Sequence, residues 1–446
     1  MVRGTDSALI FRNFEHEFPI VTHGEGIYVY DEDGKKYMDG GAGAAGVSNI
    51  GHGVEEVIRA MEAQARKMAH NPSFQFANRP AMELAELLAS ICPKGVNKVW
   101  FVSDGSEATD NAVKLARQYQ IERGYPGKSI VICRWQAFQG ATIGALAVGG
   151  HTYRRRKYVP LFVNSPHIGP MYCYRCYYEQ KYPECKVLCA RALEKEIRQL
   201  GPENVAAFIA EPVVAASLGA VPPVDEYFPM IREICDKYDV VFIADEVFTG
   251  FGRTGPMFAL ENWKVTPDIM TVAKGISGGY VPLGAVVAHE KIIDLAKKNK
   301  SNIVLGHTYS AHHLTCAVGV AAVKYILKHD LVKQGKENGA YMIKQMKRLE
   351  ESRMVGNVRG LGLFAGVEFV KDKRTKEPFA PSEQVAARVE SEALKRGLIV
   401  IPGSGSVDGV MGDHILVSPP LIISRSEIDE MISIMEESIA QVEREI

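Results

Sequence analysis

Two ionisable residues stand where a sheet could present them to a ligand. Asp245 follows the apolar run VVFIA (240–244), and Lys274 follows IMTVA (269–273), with Gly275, Gly278 and Gly279 close behind. Runs this short and apolar fit buried parallel strands, and ligands of open α/β sheets bind at the carboxyl ends of such strands. An Asp and a Lys at neighbouring strand ends can be no more than an ion pair capping the sheet. They can also serve a phosphorylated aldehyde. A desolvated lysine loses its proton readily and forms a Schiff base, while a carboxylate facing a pyridine nitrogen keeps that nitrogen protonated. The ring then accepts the electron pair left when a substrate loses its α proton. Asp serves here better than Asn, because a negative charge strongly favours the pyridinium. Once a substrate amine displaces it, the freed Lys274 amine can carry the proton between carbon atoms as base and acid.

A phosphate needs donors, and Ser103-Asp104-Gly105-Ser106-Glu107-Ala108 offers them between the strand pattern KVWFV (98–102) and a helix expected to begin near Ser106. Amides at a helix N-terminus favour an anion, and Gly105 permits close approach. A Gly-Ser helix start also occurs in proteins that bind nothing there.

The elements that must position these residues follow from the same pattern. KVWFV, SIVIC (129–133), VAAFIA (205–210), VVFIA and IMTVA alternate with longer helical stretches, which predicts a largely parallel, helix-covered sheet. After about residue 320 the texture turns to long amphipathic stretches with LFAGVEFV (363–370), LIVI (398–401) and HILV (414–417), a smaller α+β part. Near the N-terminus GIYVYDEDGKKYMDG carries a hairpin signal at Asp33-Gly34. Ser424 and Glu427 fit a capping box, and Ile428, Met431, Ile432, Met435, Ile439 and Val442 recur behind them at helical spacing.

Composition narrows the classes. Of 446 residues 46% are apolar and 24% charged, an ordinary globular balance, and 52 Lys plus Arg nearly cancel 53 Asp plus Glu. No global field attracts nucleic acid or an anionic membrane, so small molecules or a second copy of the chain are the expected partners. The opening MVRGTDSALIFRNFEHEF has acidic residues and no sustained apolar stretch, so neither a secretory leader nor a transit peptide is expected and a cytoplasmic location is the default. No apolar stretch is long enough to span a bilayer.

Taken in order, SDGSEATDNAVKLAR (103–117), EPV (211–213), DEVFTGFGRTG (245–255), AKG (273–275) and SPPLII (418–423) resemble the class III aminotransferases over almost the whole chain. The resemblance implies pyridoxal 5'-phosphate on Lys274, with Asp245 at the ring nitrogen. It also implies Gly105 and Ser106 on the phosphate, Phe138 stacked on the ring with Gln139 beside it, Val247 on the other face, and Glu211 near cofactor and substrate. Thr308 is implied at the phosphate of a neighbouring subunit, which requires at least a homodimer. As a residue without that context, Glu211 could merely cap a strand.

Three departures bear on substrate choice. Phe138-Gln139-Gly140 stands where the family often has Tyr-His-Gly. Phe248 replaces a common Gln, which resembles the branch that uses amines or omega-amino acids with pyruvate more than the branch that uses 2-oxoglutarate. The mobile Arg that pyruvate-using members place just before the stretch matching GDHILVSPPL is absent, Val410-Met411 standing there instead. Arg154, Arg155, Arg156 and Arg175 are candidate replacements, none assigned. Cys173, Cys176, Cys185 and Cys189 could enclose a structural zinc ion, but free buried thiols are the expectation and no metal is assigned. His307, His312 and His313 are expected to pack around the cofactor phosphate.

The expected fold is therefore α/β, PLP fold type I. An N-terminal segment (1–60) and residues 321–446 form a small domain beside a large cofactor domain (61–320). The expected activity is amino transfer from an omega-amino acid or primary amine to a 2-oxo acid, pyruvate foremost, by a ping-pong route through pyridoxamine phosphate. Racemisation, aminomutase chemistry or phospho-lyase chemistry on the same scaffold are the alternatives, and a non-enzymatic metal-binding protein built on the cysteines is the remaining one.

Overall fold

The computed structural model describes residues 2–3 and 7–446. Residues 1 and 4–6, part of the stretch judged above to lack a leader's apolar core, lie outside the described residues. Seven strands form the central sheet: β1 (Val96–Val102), β2 (Ile130–Arg134), β3 (His167–Ile168), β4 (Val205–Ala210), β5 (Val241–Asp245), β6 (Ile269–Val272) and β7 (Gly284–His289). Their order is β1-β7-β6-β5-β4-β2-β3. Every pairing is parallel except those of β7, which runs antiparallel to both β6 and β1.

All residues of β4, β5 and β6 are buried. A strand covered on both faces has no solvent side to show as alternation, which is why these segments read as unbroken apolar runs. The same property hid β7. Its GAVVAH was not among the expected strands, because a short buried run next to glycine and proline carries no period that separates strand from helix. The helix after β1, α1 (Gly105–Glu122), buries Ala108, Ala112, Leu115 and Ala116 against the sheet. It starts one residue earlier than expected, and its cap is Asp104, whose side chain accepts the Glu107 N–H at 2.9 Å.

Two four-stranded sheets flank this core. In one, Val21–Glu25, Tyr28–Asp31 and Lys36–Asp39 run antiparallel, and Leu398–Ile399 joins Lys36–Asp39 in parallel. The hairpin between its inner strands turns where Asp33-Gly34 signalled, with Gly34 at φ +78° and Asp31 Oδ1 accepting the N–H groups of Asp33 and Lys35. The other sheet is antiparallel throughout, in the order Val355–Gly360, Ala365–Phe369, Asp413–Val417, Ile401–Ser404. LIVI is thus not one strand, since Leu398–Ile399 and Ile401–Ser404 belong to different sheets with Val400 between them.

Helix His313–Lys328 runs across residue 320. The final helix, Arg425–Glu445, opens with the expected capping box at Ser424 and Glu427 and buries all six residues of its apolar stripe. Among the described residues no helix is long and apolar enough to cross a membrane.

Candidate active site

Strand register brings the two chemical residues together. Asp245 ends β5 opposite Thr271 of β6, and Lys274 lies three residues past Thr271, so both emerge at the same sheet edge. Asp245 is 3% exposed, and its Oδ1 accepts the Val247 N–H at 3.1 Å. Burial pushes its carboxyl up to about 6 against the pull of that N–H and of Lys274. Burial pushes the Lys274 ammonium down to about 8, while Asp245 and Glu211 hold it up. The amine therefore sits close enough to neutrality to act as a nucleophile and base at physiological pH.

Lys274 has φ +48°, a left-handed conformation rare for a side chain with a Cβ. Such strain costs about 1–3 kcal/mol and persists only where the surroundings enforce it. Gly275 shows the enforcement: a Cβ there would lie 2.8 Å from Asn49 Nδ2 and 3.0 Å from Phe251 Cβ. The Lys274 Nζ rests 4.3 Å from the centroid of the Phe248 ring, which itself stacks on Phe364 at 4.4 Å. Phe248 thus forms an apolar floor that keeps the amine desolvated.

Glu211, just past the end of β4, is the third ionisable residue of the cluster. Its Oε2 accepts the Phe138 N–H and its Oε1 the Ala215 N–H, both at 3.1 Å. Burial, then repulsion from Asp245, pushes its carboxyl up to about 7. The bond from the Phe138 N–H ties that main chain to Glu211, and the Phe138 side chain remains partly open.

At the other end of the site, the first turn of α1 carries Gly105 and Ser106. A Cβ on Gly105 would lie 2.8 Å from Val247 Cγ1, so only glycine lets this turn pass Val247. Ser106 Oγ accepts the Ala141 N–H at 3.1 Å, and Thr109 Oγ1 donates to the Gln139 carbonyl at 2.8 Å. Among the described residues, neither end of the buried Gln139 side-chain amide finds a partner. A buried amide costs free energy until something bonds it, so this corner can take a polar group. Next to it, Glu107 Oε2 accepts the Ser103 N–H at 2.7 Å and meets His307 Nε2 at 2.7 Å. Thr308 itself is exposed. Of the other two histidines, His312 caps through Nδ1 the helix beginning at His313, and its ring stacks on His70 at 5.3 Å.

Arg134 was not foreseen. It ends β2, is wholly buried, and donates to the Glu211 carbonyl at 2.6 Å and to the Met171 sulfur at 3.1 Å. A cation at a strand end, directly after the run SIVIC, was the signal available for it. The cysteine cluster differs from expectation in burial. Cys173 is exposed and Cys176, Cys185 and Cys189 only partly buried, because their segment is a chain of surface turns. Among the described residues no three His, Cys, Asp or Glu side chains are arranged to hold a metal ion.

A buried near-neutral amine, a buried carboxylate beside it, a glycine-bearing helix start and an unsatisfied amide next to that helix fit an aldehyde cofactor with a phosphate tail. Comparison with known sequences decides the family, since the pattern of the family Aminotransferase class-III matches residues 11–439. The chain belongs to the class III aminotransferases. This aminotransferase is 40% identical to an uncharacterized aminotransferase, YodT, of Bacillus subtilis, over 99% of each chain. It is 37% identical to a putrescine–pyruvate aminotransferase of Pseudomonas aeruginosa over 95% of this chain and 90% of the relative. The PLP-bound structure of an amine transaminase from an uncultivated Pseudomonas species superposes with a TM-score of 0.91 at 33% identity, covering 99% of this chain and 98% of that one. The expected α/β, fold type I architecture and the amino-transfer activity are thereby established.

Proposed function

We propose that this aminotransferase moves an amino group from an omega-amino acid or primary amine to a 2-oxo acid, with pyruvate as the preferred acceptor. The observation that carries the reading is Phe248, whose ring lies against the Lys274 amine where a hydrogen-bonding side chain would mark the 2-oxoglutarate branch. The 37% identity to a putrescine–pyruvate aminotransferase supports it.

In this reading Lys274, Asp245, Gly105, Ser106, Phe138, Gln139, Val247 and Glu211 hold pyridoxal phosphate, and Thr308 reaches the phosphate of a second subunit of a homodimer. Residues 61–320 form the cofactor domain and the two chain ends the smaller one. When bound, the cofactor supplies an aldehyde carbon and a ring that takes up an electron pair. The Lys274 amine, about one part in ten unprotonated at pH 7 given its value near 8, takes the proton from the substrate carbon and returns it to the neighbouring one. Asp245, with its value near 6, is mostly charged at that pH and steadies positive charge across from the amine. Glu211 fixes the Phe138 main chain and with it the aromatic face over the ring. The Phe248 and Phe364 rings exclude water from beneath the amine.

The test is a panel of amines and amino acids added to the PLP enzyme, followed by loss of its visible band and by regeneration with pyruvate or 2-oxoglutarate. Omega-amino acids or primary amines should bleach the band and pyruvate should restore it. Restoration by 2-oxoglutarate alone removes the acceptor assignment, and products racemised or stripped of phosphate without amino transfer remove the whole reading. Lys274→Ala should lose the band and all turnover.

A further inference from the structure

Four arginines could meet a substrate carboxylate, and the structure commits three of them elsewhere. Arg175 is paired with the buried Glu368 and donates to the Lys376 carbonyl at 2.7 Å. Arg155 lies between the rings of Trp135 and Phe162, with centroids at 5.0 and 5.3 Å. Arg156 stacks on the exposed Tyr153 at 5.5 Å. Arg154 alone turns toward the site, its guanidinium carbon 4.9 Å from the centroid of Phe138.

Arg154 has no anionic or carbonyl partner among the described residues, only that ring. The residue is exposed, yet its head group is crowded by protein, and this crowding together with Arg12 lowers its pKa from the usual value. Two guanidiniums near each other without an anion between them repel until an anion arrives. His151, edge-on to the same Phe138 ring at 6.3 Å, is pushed down to about 4 by burial and by Arg154, so at neutral pH the positive charge in this corner belongs to the arginines.

The loop that packs against the helix of Arg154 supplies no cation. The loop 403–412, GSGSVDGVMG, contains neither Lys nor Arg, and its Asp408 carboxylate is used on the N–H groups of Val410 and Met411. This loop packs directly onto the short helix that carries Arg154. Gly405 O accepts Gln136 Nε2 at 2.9 Å, and a Cβ on Gly409 would lie 2.2 Å from Thr152 Oγ1.

We propose that Arg154 receives the carboxylate of omega-amino acid and 2-oxo acid substrates, and so sets their preference over plain amines and aldehydes. The inference rests on the functional reading above. Its position over Phe138, whose main-chain N–H is held by Glu211, sets a planar two-pronged donor beside the ring that leads to the cluster of Lys274, Asp245 and Glu211.

The holoenzyme tests this with two substrate pairs, 4-aminobutyrate against butylamine as donor and pyruvate against propanal as acceptor. In Arg154→Ala and Arg154→Gln the ratio of kcat/KM for the carboxylate-bearing member over its uncharged counterpart should fall by roughly ten- to a hundredfold, the worth of a charge-assisted hydrogen bond. The fall should lie mainly in KM, and Arg154→Lys should recover part of it. Binding of unreactive propanoate, followed by calorimetry, should weaken by a similar factor. A ratio and a propanoate affinity unchanged within about twofold overturn the proposal. If no amine bleaches the wild-type enzyme, the functional reading fails instead, and the propanoate titration still decides whether Arg154 binds carboxylates.

Discussion

Glu368→Gln should cost this aminotransferase about 3–5 kcal/mol of stability, the penalty for breaking a buried ion pair while leaving its cations in place. Glu368 is fully buried between two arginines. Its Oε1 accepts Arg175 Nε, and its Oε2 accepts the Tyr172 hydroxyl and lies 2.9 Å from Arg359 Nη1. Glutamine keeps the shape, but its amide nitrogen offers hydrogens where the carboxylate accepted them. One donor loses its acceptor outright and the others bond a neutral oxygen; at about 1.5–3 kcal/mol for each charged hydrogen bond, two such losses reach the same range. The damage should also reach the active site, because Arg359 holds the Gly219 carbonyl at 2.8 Å and the Leu218 carbonyl, in the segment that follows Glu211. Urea unfolding of both proteins, repeated across pH, is the assay. Burial alone would raise the Glu368 carboxyl, but Arg359 and Arg175 prevail and hold it below the usual 4.5. A depressed carboxylate stabilises fully above its unfolded value and loses that contribution as pH falls through the folded one. The gap between wild type and variant should therefore stay constant from pH 8 to about 5 and close only below 4.5. A gap under about 1 kcal/mol at pH 7, or one that widens in acid, refutes the reasoning.

Gly105→Ala should weaken pyridoxal phosphate binding by roughly tenfold or more, since the new methyl would sit 2.8 Å from Val247 Cγ1 and overpacking typically costs about 1–3 kcal/mol. Adding Val247→Ala should restore part of the affinity in a cofactor titration, and equal affinity of Gly105→Ala and wild type would remove the close-approach argument. His414 is wholly buried, and burial, with Arg359 nearby, pushes its imidazole down to about 4 from 6.5. The unfolded chain binds this proton first, so its contribution falls as pH drops from about 6.5 to 4, by about 2 kcal/mol at pH 5. His414→Gln should consequently lose less thermal stability than wild type between pH 7 and 5, and parallel losses would show that another group carries the acid sensitivity.

The meeting of Asp245 and Lys274 at one sheet edge was legible because it is written in local sequence. Asp245 and Lys274 each follow a buried strand, and a strand's end is fixed by where its apolar run stops. Gly105 was legible for the same reason, as a glycine between a strand and a helix, and the final helix announced itself through Ser424, Glu427 and an apolar stripe. What stayed hidden depends on the other side of the space. β7 looks like any short apolar run until β1 and β6 claim its two edges, and LIVI gives no hint that Leu398 and Ile401 belong to different sheets. Four arginines were equal candidates for a carboxylate until Glu368, Trp135 and Tyr153 drew three of them away. The chain alone settled which residue types could form an imine, steady a pyridinium and cradle a phosphate, because reactivity belongs to side chains and their nearest neighbours. Packing decided their charge states, since the values near 8, 7 and 6 for Lys274, Glu211 and Asp245 arise from burial that distant segments impose.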